Sequence, residues 1–224
     1  MPRQMVHFTR ILRTAGLTSL IASFALSAAT LPGPTVDENR SEKKSETVVV
    51  AGGCFWGVQA VFSELKGVSS AISGYAGGSK ANAHYEIVST GTTGHAESVQ
   101  ITFDPSQISF GQLLKIYFSV AHDPTELNRQ GPDEGTQYRS EIFYTSDEQK
   151  KIAEAYIQQL TEAKVFRRPI VTKVAPLQAF YPAEDYHQNY VARNPHQPYV
   201  AYNDLPKLTN LRAEFPDLLK GGKQ

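Results

Sequence analysis

Cysteine is almost absent from this chain: among its 224 residues there is one, Cys54. An intramolecular disulfide is therefore excluded, and the thiol serves either packing or reactivity. An excess charge of one sign is lacking too, since 22 Lys+Arg balance 22 Asp+Glu. Nothing in that balance supplies the basic face a nucleic-acid binder needs. Acid is missing from the first 36 residues, tryptophan is confined to Trp56, and no stretch repeats. What is present is ordinary for a soluble domain: 41% hydrophobic and 20% charged residues, with eleven Tyr and eleven Phe. The length suits one good-sized domain with a substantial core.

The acid-free start carries Arg3, Arg10 and Arg13 ahead of an apolar run over residues 15–29 that ends in Ser27, Ala28 and Ala29. A basic segment, an apolar segment and small residues in that order read as an export signal over residues 1–29. The alternatives are a transit peptide for an organelle, which shares the Arg-rich, acid-poor character, and an uncleaved membrane anchor. The expected location is thus periplasmic or exported. Residues 30–46, with Pro32, Pro34 and a polar run from Asp37 to Ser45, read as a disordered linker. The folded domain is expected over residues 47–224.

Within it, residues 48–51 form a short apolar run and Val58, Val61, Phe62 and Leu65 a helical stripe. Strands are expected at 68–75 and 95–103, and a helix where Phe110, Leu113, Leu114, Tyr117 and Phe118 repeat. A strand at 138–144, a helix from a Ser146/Gln149 capping box to about Ala163 and a strand at 170–174 follow. Past Pro176 no period is clear, apart from a short helix over 183–192. The order β-α-β-β-α-β-α-β reads as an α/β fold. More narrowly, it is an α+β two-layer sandwich with a ferredoxin-like core and a long irregular C-terminal segment. The strand order stays open.

Cys54 stands in Gly52-Gly53-Cys54-Phe55-Trp56-Gly57, where the first strand gives way to the first helix. Glycines permit a sharp turn, and free helix N–H groups favour a thiolate. An unperturbed thiol is only a few per cent ionised near pH 7. A helix terminus contributes roughly 0.3–1 kcal/mol, against about 1.4 for each unit of pKa. Other groups must supply the remainder. The two aromatics after the thiol suggest a small hydrophobic pocket.

Four motifs then coincide. Gly53-Cys54-Phe55-Trp56-Gly57, Gly94-His95-Ala96-Glu97, Gly135-Thr136-Gln137-Tyr138-Arg139-Ser140 and Pro182-Ala183-Glu184-Asp185-Tyr186-His187-Gln188 occur in one order across residues 47 to about 205. In them the chain resembles the A-type peptide methionine sulfoxide reductases. The resemblance implies an oxidoreductase that reduces methionine S-sulfoxide, free or in oxidised proteins. Cys54 would be the nucleophile that becomes a sulfenic acid, and Glu97 the proton donor, kept neutral by burial. Tyr85 and Tyr138 match the phenols that hydrogen-bond the sulfoxide oxygen. Asp133 matches a carboxylate acting on the site, and Phe55 and Trp56 the walls that hold the substrate methyl.

The chain departs from that pattern in one respect. Family members often carry resolving cysteines near the C-terminus, and here residues 194–204 contain none, while Ser89 occupies another family cysteine position. Regeneration then needs an external thiol: a thioredoxin-like or glutaredoxin-like domain, or a small thiol. No bound cofactor is expected, and the protein is expected to be a monomer. The competing reading of Cys54 with His95, His122, His187 or His196 is a Cys-His thiol hydrolase or acyltransferase. A noncatalytic binding domain is the third. The histidines lack the spacing of a metal site.

Overall fold

Strand β1 (Glu46–Ala51) is buried on both sides because its alternate residues meet two different layers. Val48 and Val50 join the main core with Val58, Phe62, Val99 and Ile101. Val49 and Ala51 join a smaller cluster with Ala76, Ala96 and Phe143 on the opposite face. This is the computed structural model of the chain, and it describes residues 30–38 and 44–221. The expected export signal lies outside the described residues.

After β1 the chain turns at Gly52–Cys54 into α1 (Phe55–Ser63), then runs through β2 (Val68–Ala76), the single turn α2 (Tyr85–Val88), β3 (Ala96–Phe103) and α3 (Phe110–Ile116). α3 continues as a widened π turn over Tyr117–Ala121. A small hairpin follows, of β4 (Arg129–Gln130) and β5 (Asp133–Glu134), then β6 (Glu141–Tyr144), α4 (Asp147–Glu162), β7 (Lys173–Pro176) and β8 (Phe180–Pro182). The C-terminal part holds α5 (Tyr190–Arg193), a second π turn over Val200–Asp204 and α6 (Leu205–Glu214).

The main sheet runs β7-β6-β1-β3-β2-β8. Its middle four strands are antiparallel in the order β6-β1-β3-β2, the 4-1-3-2 pattern of a split βαβ unit. The α+β expectation and its ferredoxin-like core are thus found. β7 adds in parallel to β6, and β8 pairs with the far edge at Gly74–Ala76.

Local signals explain most boundaries. Ser109 and Gln112 form a complete capping box: Ser109 Oγ accepts from the Gln112 N–H at 3.1 Å, and Gln112 Oε1 from the Ser109 N–H at 3.0 Å. The box expected at Ser146 and Gln149 is only half made. Ser146 Oγ caps the Gln149 N–H at 3.2 Å, but the Gln149 amide turns to the Thr145 N–H and the Thr47 carbonyl. Long-range bonds to the end of β1 win over the local one. The expected helix at 183–192 is broken into a 3₁₀ turn at Asp185–His187 and α5, with Asn189 at φ 53° between them.

Residues 30–38 correct the linker expectation, because they are docked on the domain. The Tyr156 hydroxyl donates to the Pro32 carbonyl at 2.8 Å, and Gln159 bonds Gly33 and Thr35. Asp37 accepts from the Gly111 N–H (2.9 Å) and Ser109 Oγ, and Glu38 accepts from the Phe110 N–H at 2.6 Å. A polar composition reads as disorder until its carboxylates find the free N–H groups of a helix start. Asp37→Ala should lower unfolding stability by about 1 kcal/mol, and a chain begun at residue 44 should lose more. Denaturant melts check both, and equal midpoints would show the docking to be inconsequential.

Candidate active site

The turn that carries Cys54 is shaped by what packs around it. Gly53 takes φ +84° and lies against Gln130 of β4, where a Cβ would come within 2.5 Å of that side chain. The Tyr117 hydroxyl, presented by the π turn after α3, donates to the Ala51 carbonyl at 2.6 Å and anchors the last residue of β1. Cys54 then occupies the N-cap position of α1 and is buried.

Glu97 arrives by strand register. β1 and β3 pair as Val50 with Val99. Carried two residues further, that register sets Glu97 level with Gly52, where β1 has ended and the chain has turned. The carboxylate of this buried residue accepts from the Phe55 N–H at 3.1 Å, at the head of α1. The Trp56 N–H, next along the helix start, favours the charged form of the Cys54 thiol. The first free amide of α1 thus goes to Glu97, one of the two groups the sequence marked for chemistry.

The other marked residues converge on the same place. Cys54, Phe55, Trp56, Tyr85, Glu97, Asp133 and Tyr138 line one cavity of about 240 Å³, together with Gln197 and Tyr199. Two motifs are tied together to achieve this. Thr136 Oγ1 donates to the Gly91 carbonyl (2.6 Å), Gln137 to Ser89 (3.2 Å) and Arg139 to Gly94 (3.0 Å). Tyr138 and the strand bearing Glu97 are thereby fixed to each other. Tyr85 is held by its own N–H, which donates to Glu184 Oε1 at 3.0 Å, while Glu184 Oε2 accepts from the Tyr75 hydroxyl at 2.8 Å.

Several partners had no separate signal in the sequence. The Tyr199 hydroxyl donates to Asp133 Oδ2. The Trp56 indole N–H donates to His187 Nδ1 at 3.0 Å, and its ring stacks on Tyr190 with centroids 3.8 Å apart. Asp204, fully buried, sits 3.5 Å from Lys207 and against Gly57 of α1, where any Cβ would strike its Oδ1 at 2.2 Å. Tyr199 and Asp204 come from a segment with no helical period, so only the π turn over Val200–Asp204 brings both to the thiol.

The electrostatics follow from burial. Desolvation pushes the Cys54 thiol well above its ordinary value, helped by the Glu97 and Asp204 carboxylates and opposed by the Trp56 N–H and Lys207. The helix terminus expected to favour the thiolate is therefore outweighed in the ligand-free protein. Desolvation likewise raises Glu97 to about 8, against the lowering effect of the Phe55 N–H, with Asp133 and Asp204 adding to the rise. At neutral pH its carboxyl is protonated. Asp133 is also raised by burial, and Asp204 to about 6.

Three of the four candidate histidines are committed elsewhere. His122 has Nδ1 on the Tyr117 carbonyl and Nε2 on Ser140 Oγ, and burial lowers it to about 3. His95 bonds the Gly78 N–H and the Ser79 carbonyl, and His187 holds Trp56. Among the described residues, none of these three donates to or accepts from the thiol, and no cluster of three metal-ligating side chains occurs.

Comparison with known proteins agrees with this constellation. The family model described as peptide methionine sulfoxide reductase matches residues 46–218. The chain belongs to the peptide methionine sulfoxide reductase family. It is 59% identical over 181 residues to the peptide methionine sulfoxide reductase MsrA 2 of Mesorhizobium japonicum, covering 81% of this chain and 93% of that protein. To the MsrA 2 of a Synechocystis species it is 52% identical over 210 residues, covering 92% and 98%. Among solved structures, methionine sulfoxide reductase A of Corynebacterium diphtheriae aligns with a TM-score of 0.59 at 36% identity, covering 76% of this chain and 85% of that one. Reduced Mxr1 of Saccharomyces cerevisiae aligns at 0.64 and 32%, covering 71% and 91%. The reductase is an oxidoreductase, and the hydrolase reading is not favoured.

Because burial and the Asp204 carboxylate hold the thiol neutral, Cys54 should alkylate more slowly at neutral pH than an exposed thiol. Asp204→Asn should quicken it severalfold, while Glu97→Gln exchanges one neutral group for another at this pH and should leave the rate nearly unchanged. Iodoacetamide trapping followed by mass spectrometry measures the rates, and an unchanged rate in Asp204→Asn would refute this balance.

Proposed function

We propose that the reductase reduces methionine S-sulfoxide, free or within oxidised polypeptides, by attack of Cys54 on the sulfoxide sulfur. The convergence of Cys54 and a neutral Glu97 on one aromatic-walled cavity carries this reading. An S–S bond forms from Cys54 to the substrate while the Glu97 carboxyl protonates the departing oxygen. The S–O and S–S bonds to the substrate sulfur then break as the protonated oxygen passes to the Cys54 sulfur, releasing methionine and Cys54 sulfenic acid. The sulfenic acid keeps the proton from Glu97, and Glu97 regains one from solvent in place of the proton lost when the thiol ionised, so the step is balanced. Tyr85 and Tyr138 offer phenol donors to the oxygen without adding charge. Phe55 and Trp56 enclose the methyl, and Asp133 with Tyr199 closes the side opposite Glu97's strand.

With no second cysteine in the chain, an external thiol must attack the sulfenic sulfur, releasing water and leaving a mixed disulfide on Cys54. A second thiol then frees Cys54 and departs as a disulfide. A dithiol domain of thioredoxin or glutaredoxin type supplies both thiols at one encounter, and a small thiol supplies them in two. The working form is a monomer in this scheme. The basic, then apolar start of the chain supports delivery to an exported or periplasmic location, and the mature N-terminus of the native protein tests that.

Reaction requires the Cys54–Glu97 pair to carry one proton, as thiolate with neutral carboxyl. The first proton leaves the pair near the raised value of Glu97, about 8. The second-order rate of sulfoxide reduction should therefore rise with pH up to about 8 and level off above it. In Glu97→Gln the rate should fall by about 10²–10⁴-fold and the break should move up toward the ionisation of the thiol. An unshifted break in single-turnover measurements would remove Glu97 from this role. Mass spectrometry after one turnover without reductant should find Cys54 sulfenic acid or its mixed disulfide; a covalent homodimer as the productive species would reject the external-thiol scheme.

A further inference from the structure

Trp56 lines two cavities: the one that holds Cys54 and a second of about 300 Å³ bounded by α1, α5 and α6. That groove follows α1 from Trp56 past Ala60 to Glu64. Eight residues of helix advance about 12 Å, the length of three or four extended residues. Val191, Leu205 and Leu208 make its far wall. Three of its polar side chains are already engaged. The Gln59 amide bonds Ala71, Gln188 and Asn189, and Arg212 forks onto Glu64 at the distal end.

Apolar side chains are also exposed on the segments that carry Tyr85, His187 and Tyr199: Ile87, Tyr186 and Tyr202 are 41%, 54% and 82% exposed. A surface of this kind, continuous with the reacting cavity through one indole, fits an apolar strand of polypeptide. The occupant follows from the substrate. Methionine is an interior residue, so its sulfoxide in a damaged protein is flanked by apolar neighbours.

We propose that the groove between α1, α5 and α6 is a binding site for the apolar residues flanking methionine sulfoxide in an unfolded polypeptide. The inference rests on the reductase reading and adds a preference for sequence context. A sulfoxide residue enters beside Cys54, and the next residues of its chain lie along α1 against Ala60, Val191 and Leu208. Free methionine sulfoxide uses none of this surface.

Trp56 is the only tryptophan, so its fluorescence reports occupancy without any turnover. The wild type is titrated with reduced-methionine peptides bearing leucine or glutamate flanks. Sulfoxide forms of the same peptides and free methionine sulfoxide are then assayed with a small dithiol as reductant. Leucine flanks should tighten binding and raise kcat/KM by about tenfold. Ala60→Glu, at a half-buried helical position, should abolish both preferences and leave free methionine sulfoxide unchanged. Ala60→Ser should keep them. Flank-independent binding, a preference surviving Ala60→Glu, or equal losses on peptide and free substrate would overturn the site. So would an Ala60→Glu defect that appears only with a protein dithiol as reductant, which would give the groove to the reductant. Absence of sulfoxide turnover in the wild type would sink the reductase reading instead, and the fluorescence titration would still decide the groove.

Discussion

The hydrogen bond from the Phe55 N–H to the Glu97 carboxyl joins the head of α1 to the second residue of β3, and the rest of the site is arranged around it. It exists because β1 ends one residue short of Glu97's level, so that the carboxyl meets the turn into α1. Glycines at 52 and 53 let the chain reverse there, and Tyr117 holds the Ala51 carbonyl so that the turn starts at a fixed point. Shift the β1–β3 register by one residue and Glu97 would move to the opposite face of the sheet. The meeting of Cys54 and Glu97 is therefore a consequence of strand pairing.

The protein has no net charge, yet it gathers three carboxyl groups, the buried Glu97 and Asp204 and the half-buried Asp133, around one thiol. Each has a different companion. Glu97 has a backbone amide, Asp133 the Tyr199 hydroxyl, and Asp204 the Lys207 ammonium. The arrangement holds protons at rest: thiol and acid are both neutral until a substrate brings a polarised S–O bond between them. An unpaired thiolate would be open to indiscriminate oxidation, and a chain with no resolving cysteine has no internal way to recover from it.

Much of this was legible in residues 47–163. The stripe of Val58, Val61 and Phe62, the alternation through β3 and the cap at Ser109 are local signals, and each produced the element it implied. The family resemblance named seven residues that line one cavity, five of them inside the four motifs, because a short motif fixes which side chain leaves a turn or strand. Failures came where partners were distant. Residues 30–38 looked unstructured until Asp37 and Glu38 met the start of α3, and the Gln149 side chain left its local cap for Thr47. α6 went unread because its apolar positions, Leu208, Leu211 and Phe215, are widely spaced and preceded by a π turn.

By itself the sequence determined the family and the solitude of its thiol, since these depend on residue identity and on spacing within short motifs. Only the tertiary structure decided the proton state of that thiol, because desolvation and the Asp204 carboxylate come from a helix about 150 residues away along the chain. It also decided that Trp56 is held by His187 and Tyr190 and divides two cavities. Burial and long-range contact are properties of the packed chain, and no stretch of sequence contains them alone.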